Sequence, residues 1–290
     1  MIRPGNRVLH PWLLLSPAVA SLSVLLVIPV LFIVVYSFWL RTASGQVVPQ
    51  FTLDNWRELF GDIYYWEILG RTLRLSVTTT LACALLGYPV AYFLAYTRMR
   101  LRFLLALLLM LPFWISFVIR TMSWIHVLGT NGFINRLLLQ LGLIDEPFKL
   151  LYNDISIHLG LMHVLLPFMI LNIYVSLDGM DRNLASAART LGAGAWRAFR
   201  DITFPLSLPG LAAGCLLCFV MTSGTYVTPL LLGGPGNAMF ASLIYDAIIR
   251  QFDWPFGAVL SLLLLALLAT VVLIYNRFLG MSQVFRSFGR

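Results

Sequence analysis

The chain has 290 residues, of which 60% are hydrophobic and only 11% charged, with a formal net charge of +8. Soluble domains carry ~25% charged residues, and a soluble fold of this size could not cover so much apolar surface, so a water-soluble globular protein is excluded and a membrane protein implied. The apolar stretches are continuous rather than alternating, which selects helices over barrel strands. The basic side chains sit at the ends of those stretches, a pattern of membrane topology rather than of nucleic-acid binding.

In chain order, Arg3 and Arg7 precede an uncharged run over 12–40, and Ala18-Val19-Ala20 has the look of a signal-peptidase site. A cleaved signal has an apolar core of only ~7–15 residues, so the run predicts a retained first span near 13–38. Further stretches reaching the ~20 residues that cross a bilayer lie near 75–97, 102–128, 155–177, 209–232 and 254–276. The second, fourth and sixth hold no charge. No acid lies inside any predicted span, and none is predicted to be interrupted.

The third span holds one charge, Arg120, in Arg120-Thr121-Met122-Ser123-Trp124 after Leu111-Pro112-Phe113-Trp114. An intramembrane ionisable residue is a functional candidate, here one able to hold a carboxylate bidentately. The competing expectation is that Arg120 sits near the outer end of the span and snorkels to water. His126, His158 and His163 lack the i, i+4 spacing of a helical metal pair, and no His-Glu-Xaa-Xaa-His or Gly-Xaa-Ser-Xaa-Gly occurs, so structural histidines are expected. Cys83, Cys215 and Cys218 all fall in predicted spans with no acid or histidine beside them, so no disulfide framework and no metal site is expected.

The loop 178–208 is the most informative segment. It reads Ser186-Ala187-Ala188, then Arg189-Thr190-Leu191-Gly192, then nine residues, then Ile202-Thr203-Phe204-Pro205. This predicts two short helices around a glycine joint. Asp181 or Asn183 caps the first, and the small alanine face lets another surface approach. Gly192 ends that helix with φ > 0, and Pro205 redirects the chain into the fifth span. That span carries Gly224-Thr225-Tyr226, so Tyr226 lines a passage or packs through small neighbours. Trp12, Trp39, Tyr96, Trp254 and Tyr275 read as interfacial anchors.

One side holds Arg3, Arg7, Arg98, Arg100, Arg102, Arg182, Arg189, Arg197, Arg200, Arg277, Arg286 and Arg290, twelve basic residues against three acids. The other side has seven basic residues against nine acids. The positive-inside rule then places both termini and the 178–208 loop in the cytoplasm. Loops of ~30 residues cannot build an independent core, so 1–290 is expected to be a single transmembrane domain.

The 178–208 loop resembles the Glu-Ala-Ala loop of binding-protein-dependent ABC importer permeases, whose pattern is Glu-Ala-Ala, three residues, Gly, nine residues, Ile, one residue, Leu, Pro. Ala187, Ala188, Gly192, Ile202 and Pro205 match at the right spacing, while Ser186 stands for the Glu and Phe204 for the Leu. The stretches 111–124, 224–235 and Asp253-Trp254-Pro255-Phe256-Gly257 resemble the spermidine/putrescine-like (polyamine/opine) group. The resemblance implies an all-α polytopic bundle of six transmembrane helices with the type I ABC importer permease fold, multi-pass in a bacterial inner membrane. It implies a non-enzymatic permease that binds no cofactor or metal, ATP and Mg being held by a cytoplasmic ATPase dimer that docks on Ser186, Ala187, Ala188, Gly192, Ile202 and Pro205. The other implied partners are a second, different permease subunit, an extracytoplasmic solute-binding protein and membrane lipid, with no nucleic acid.

The pathway residues expected in this chain are Arg120, Trp124, Thr225 and Tyr226. The solute implied is small and polar: polyamine, amino-acid-like or opine-like. Polyamine permeases of the group often carry an acid after the glycine or the proline of the 224–229 segment. Thr225 and Leu230 stand there, although a dication needs compensating negative charge in a low-dielectric passage. The rival readings are an ion-coupled secondary transporter, which predicts acids or interrupted helices in the spans, and an integral membrane enzyme, which predicts a polar catalytic set there.

Overall fold

The computed structural model describes residues 11–42, 44–234 and 236–279. Of the arginines used for orientation, Arg3, Arg7, Arg286 and Arg290 lie outside the described residues. The chain divides into two compact units, one from the N-terminus to Asp62 together with Ile244–Leu263, the other made of Ile63–Leu243 and the remainder.

The first unit opens with α1 (Pro11–Tyr36), whose apolar side chains from Leu15 onward are mostly exposed, Leu22 and Leu25 among them. Such a surface is stable only against lipid or another protein. It is followed by a short antiparallel ribbon, β1 (Trp39–Arg41) and β2 (Val47–Phe51), then α2 (Asp54–Gly61). The ribbon was not foreseen from the sequence. Arg41 ties it to the chain before the last span, donating to Asp253 Oδ2 at 3.0 Å and to the Gln251 carbonyl at 2.6 Å.

The second unit is built on α3 (Ile63–Tyr96), α7 (Asp154–Asp178) and α10 (Phe204–Ser223). Its core joins Leu75, Cys83 and Ala91 of α3 to Leu161, Leu165, Met169 and Ile173 of α7 and Cys218 of α10. At ~1.5 Å per residue, the 25 residues of α7 reach ~37 Å, enough to cross ~30 Å of hydrocarbon. Asn153 caps α7 by accepting from the Ser156 N–H at 3.0 Å, while the Ser156 hydroxyl accepts from the Asn153 N–H at 3.2 Å. α3 starts earlier than the predicted 75–97, because Glu67, Arg71 and Arg74 occupy turns that continue the helix beyond the apolar stretch. The chain is completed by α4 (Met99–Met110), α5 (Phe117–Leu128), α6 (Phe133–Gln140), α8 (Arg182–Thr190), α9 (Ala195–Ala198), α11 (Phe240–Tyr245) and α12 (Trp254–Leu279), the last two divided between the units.

Among the described residues five helices are long and apolar enough to cross a membrane, six when the bent pair is counted as one span. Spans one, two, four and six agree with α1, α3, α7 and α12. The third does not run straight over 102–128. It breaks at a 3₁₀ turn, Leu111–Trp114, followed by extended Ile115 and Ser116, and Met99–Trp114 meets Phe117–Gln140 at 91°. Pro112 explains the break, since it has no N–H to donate and its ring obstructs the preceding turn.

The fifth span differs in the other direction. Pro205 does not redirect the chain: one helix runs through Ala195–Ser223. A π-turn at Phe199–Thr203 precedes Pro205 and accommodates its missing N–H within the continuous helix. The predicted 209–232 instead ends at Gly224, and Pro229–Gly233 forms a separate π-turn. The expectation of uninterrupted spans is therefore overturned at two places.

α10 and α7 approach closely enough to exclude a side chain. A Cβ on Gly210 would lie 2.4 Å from the Asn172 carbonyl oxygen and 2.4 Å from Ser176 Cβ. Such small-residue packing holds helices together where the hydrophobic effect between them is weak. Gly210→Val is expected to cost about 1–3 kcal/mol by overpacking. The midpoint of thermal unfolding in detergent should fall; an unchanged midpoint would mean that the two backbones are not in contact.

A cavity between broken helices and an exposed two-helix loop

The two breaks meet at one cavity of about 390 Å³. Phe113 and Phe117 flank the break between α4 and α5. Leu161, Val164, Leu165 and Phe168 come from α7, Met221 from α10, and Gly224 and Thr225 from the unwound stretch after it. Arg120 reaches the same cavity from the first turn of α5 and is only 7% exposed, so it does not snorkel. Its guanidinium carbon lies 5.4 Å from the centroid of the Phe113 ring, and its Nε and Nη1 have no hydrogen-bond partner among the described residues.

Of the four expected pathway residues, the structure thus unites Arg120 and Thr225. Trp124 lies one turn beyond Arg120 and donates from Nε1 to His163 Nδ1 at 3.0 Å, tying α5 to α7. Tyr226 is 38% exposed and lies outside the cavity wall. The phenylalanines were missed because helical spacing fails across a break, and only Pro112 marked where it fails. His158 is structural: its Nδ1 lies 2.6 Å from the Asp154 carbonyl and its Nε2 lies 2.7 Å from the Thr78 hydroxyl.

Beyond the break after α10, the chain is firmly held. The Leu232 carbonyl accepts from the Tyr152 N–H at 3.0 Å and from the Ser156 hydroxyl at 2.7 Å. Arg71 donates to the Gly236 carbonyl, Asn237 and Asp154, and Asp154 also accepts from Arg74 at 2.7 Å. These bonds fasten Leu232, Gly236 and Asn237 to α3 and to the start of α7. The residues on the other side of the break belong to the continuous helix that begins at Ala195.

At the far end of that helix, α8 and α9 form the two-helix loop. Asp181 caps α8 through the Asn183 N–H at 2.9 Å. Gly192 has φ +89°, and the Ala193 N–H returns to the Ala188 carbonyl, closing the helix with a left-handed glycine. Leu191 and Trp196 stand 90% and 72% exposed. Ile202 and Pro205 fall within the π-turn and the first turn of α10, so they fix the helix exit rather than the exposed face. Phe199 packs edge-on against Tyr88 and Tyr92, with centroids 5.9 and 5.7 Å away, and Tyr88 pairs with the Ser207 hydroxyl at 2.8 Å.

A helical bundle that crosses the membrane, encloses a small cavity at broken helices and presents an exposed helical hairpin at one end is a permease. Residues 83–282 match the family described as "Binding-protein-dependent transport system inner membrane component", and the chain belongs to that family. It is 38% identical over 250 residues to the spermidine/putrescine transport system permease protein PotB of Escherichia coli (strain K12), covering 86% of this chain and 90% of that one. Two solved structures share the fold. One is a bacterial alginate ABC transporter in complex with alginate pentasaccharide-bound periplasmic protein, with a TM-score of 0.74, 17% identity and 94% of each chain covered. The other is a bacterial ABC transporter involved in the import of the acidic polysaccharide alginate, with a TM-score of 0.68, 19% identity and 92% and 94% covered. The protein is a multi-pass inner-membrane permease of an ABC importer with the type I fold, as its loop motif implied.

Thr225 stands where the cavity wall has no helical ladder to protect, so a large side chain there fills space rather than breaking a helix. Thr225→Trp should abolish solute uptake by the reconstituted transporter while leaving its assembly intact. Undiminished uptake by a well-inserted Thr225→Trp protein would show that solute bypasses this cavity.

Proposed function

We propose that this chain forms one half of the transmembrane pore of an importer for a small polar organic solute. A second permease subunit completes the pore, and an extracytoplasmic binding protein delivers the solute. A cytoplasmic ATPase dimer, which holds ATP and Mg, docks on the loop around Ser186, Ala187, Ala188 and Gly192. Both termini and this loop face the cytoplasm, in keeping with the arginine asymmetry.

The observation that carries this reading is the single helix Ala195–Ser223, which starts beside the Gly192 joint and ends at the cavity. Movement of the loop is delivered along it to Gly224 and Thr225, while 232–237 stays fastened. The alternating access that results needs no ion coupling, and the predicted spans hold no acid to bind one. Interrupted helices, counted above in favour of a secondary transporter, line the passage here instead. The relatives' names include spermidine and putrescine, which supports the polyamine member of the small polar class.

Two experiments test the reading. Reporter fusions at Gly142 and Gly194 should fall on opposite sides of the membrane; a shared compartment would overturn the orientation. Gly192 adopts a backbone conformation that L residues rarely accept. Gly192→Trp should leave the permease inserted, with the ATPase no longer stimulated by loaded binding protein and transport lost. Normal transport by that variant would remove the joint from the coupling path.

A further inference from the structure

Away from the cavity at the breaks, the loop 141–153 borders a second recess, of about 500 Å³, lined by Thr130, Lys149, Leu150, Leu151, Tyr152 and Asn153. Lys149 is the only lysine of the chain. It is exposed, and among the described residues it makes no ion pair. The backbone around it is fixed. The Leu150 N–H returns to the Phe148 carbonyl at 3.0 Å, which puts Lys149 at the tip of a tight turn. The Lys149 carbonyl accepts from Asn153 Nδ2 at 2.8 Å. The buried Asn135 holds Phe148 through its N–H at 3.0 Å and its carbonyl at 2.9 Å. Tyr152 has φ +62°, a conformation that a bulky L residue adopts only where its surroundings impose it. Here its N–H donates to the Leu232 carbonyl, and its own carbonyl accepts from Asn237 Nδ2 at 3.1 Å. The Tyr152 ring rests on Gly234, where a Cβ would come within 3.1 Å of Tyr152 Cδ1. Tyr152 and Phe148 are each more than half exposed.

We infer that Phe148, Lys149 and Tyr152 form a docking contact for the extracytoplasmic solute-binding protein, which presents a carboxylate to the lysine and an apolar patch to the two rings. The inference rests on the permease reading and deepens it by placing that partner on named side chains. Under the orientation proposed above, this loop faces away from the cytoplasm, on the side from which the binding protein arrives. The unpaired lysine supplies the charge complementarity, since a carboxylate brought towards it steers the encounter. The exposed rings supply the kind of contact that dominates protein interfaces. The fixed backbone leaves little conformational freedom to be lost on binding. A lipid surface fits the loop less well. Asp145 and Glu146 are exposed four and three residues before Lys149, and they oppose anionic headgroups.

The test uses the complete transporter in proteoliposomes, made with and without anionic phosphatidylglycerol, and the loaded binding protein. A carbodiimide is added. It activates a carboxylate, the Lys149 amine joins that carboxylate as an amide, and the reagent leaves as a urea carrying the elements of water. Mass spectrometry should find Lys149 joined to an acid of the binding protein. Lys149→Arg, which keeps the charge and does not couple, should show no such link and normal stimulation of ATP hydrolysis. Lys149→Glu should raise the concentration of binding protein that half-stimulates hydrolysis about tenfold, with the maximal rate unchanged. Tyr152→Asn, which accepts the left-handed backbone and removes the ring, should raise that concentration too. Absence of the link, a link from Lys149 to any other chain, or a wild-type half-stimulating concentration in Lys149→Glu overturns the inference and leaves the permease reading standing. So does a Lys149→Glu effect confined to vesicles with anionic lipid, which would make the loop a lipid anchor. Hydrolysis that loaded binding protein does not stimulate in the wild-type assembly overturns both.

Discussion

Hydrocarbon offers no partner to a peptide N–H or C=O, and the architecture follows from that deficit. Long helices satisfy the demand within themselves. Wherever a span stops being helical, the freed backbone groups must turn to protein or to an enclosed polar space. After α10 the freed groups turn to protein: the Leu232 carbonyl finds Tyr152 and Ser156, and the Gly233 carbonyl finds Asn237. At the other break Phe113 borders the cavity, as do Gly224 and Thr225 after α10. Irregular backbone is tolerated at that depth only where it is enclosed.

The same constraint explains which contacts hold the bundle. With lipid as apolar as leucine, close packing replaces hydrophobic burial as the force between spans. Gly210 against Asn172 is one such contact, and the buried hydroxyl pair of Ser76 and Ser223, 2.9 Å apart, is another. Polar ties concentrate at the ends of the spans, where Arg71 and Arg74 share Asp154, and Arg102 meets Asp178. The middle of the bundle is left to close-packed aliphatic and small side chains and to Arg120.

The places of the long apolar helices were largely legible in the sequence, because uncharged runs of this length have one physical meaning. α7 agrees with its predicted run to within a residue at each end. The loop was legible too: alanine, glycine and capping residues dictate local geometry, and the Asp181 cap and left-handed Gly192 formed where their chemistry required. The breaks were not read correctly. Pro112 breaks its helix while Pro205 sits inside one, and composition does not distinguish them. The difference lies in the π-turn Phe199–Thr203, which forms around rings contributed by α3. Arg120 and Thr225 stood out individually, but their sharing of a wall depends on where two helices end.

The unbroken helix Ala195–Ser223 also joins the exposed loop to the cavity. At ~1.5 Å per residue it is ~43 Å long. It is held near its start, where Phe199 lies against Tyr88 and Tyr92, in its middle, where Gly210 meets Asn172, and near its end, where Ser223 pairs with Ser76. A rod fastened at three points along its length is a strut, so a load on the exposed loop is borne by α3 and α7 together.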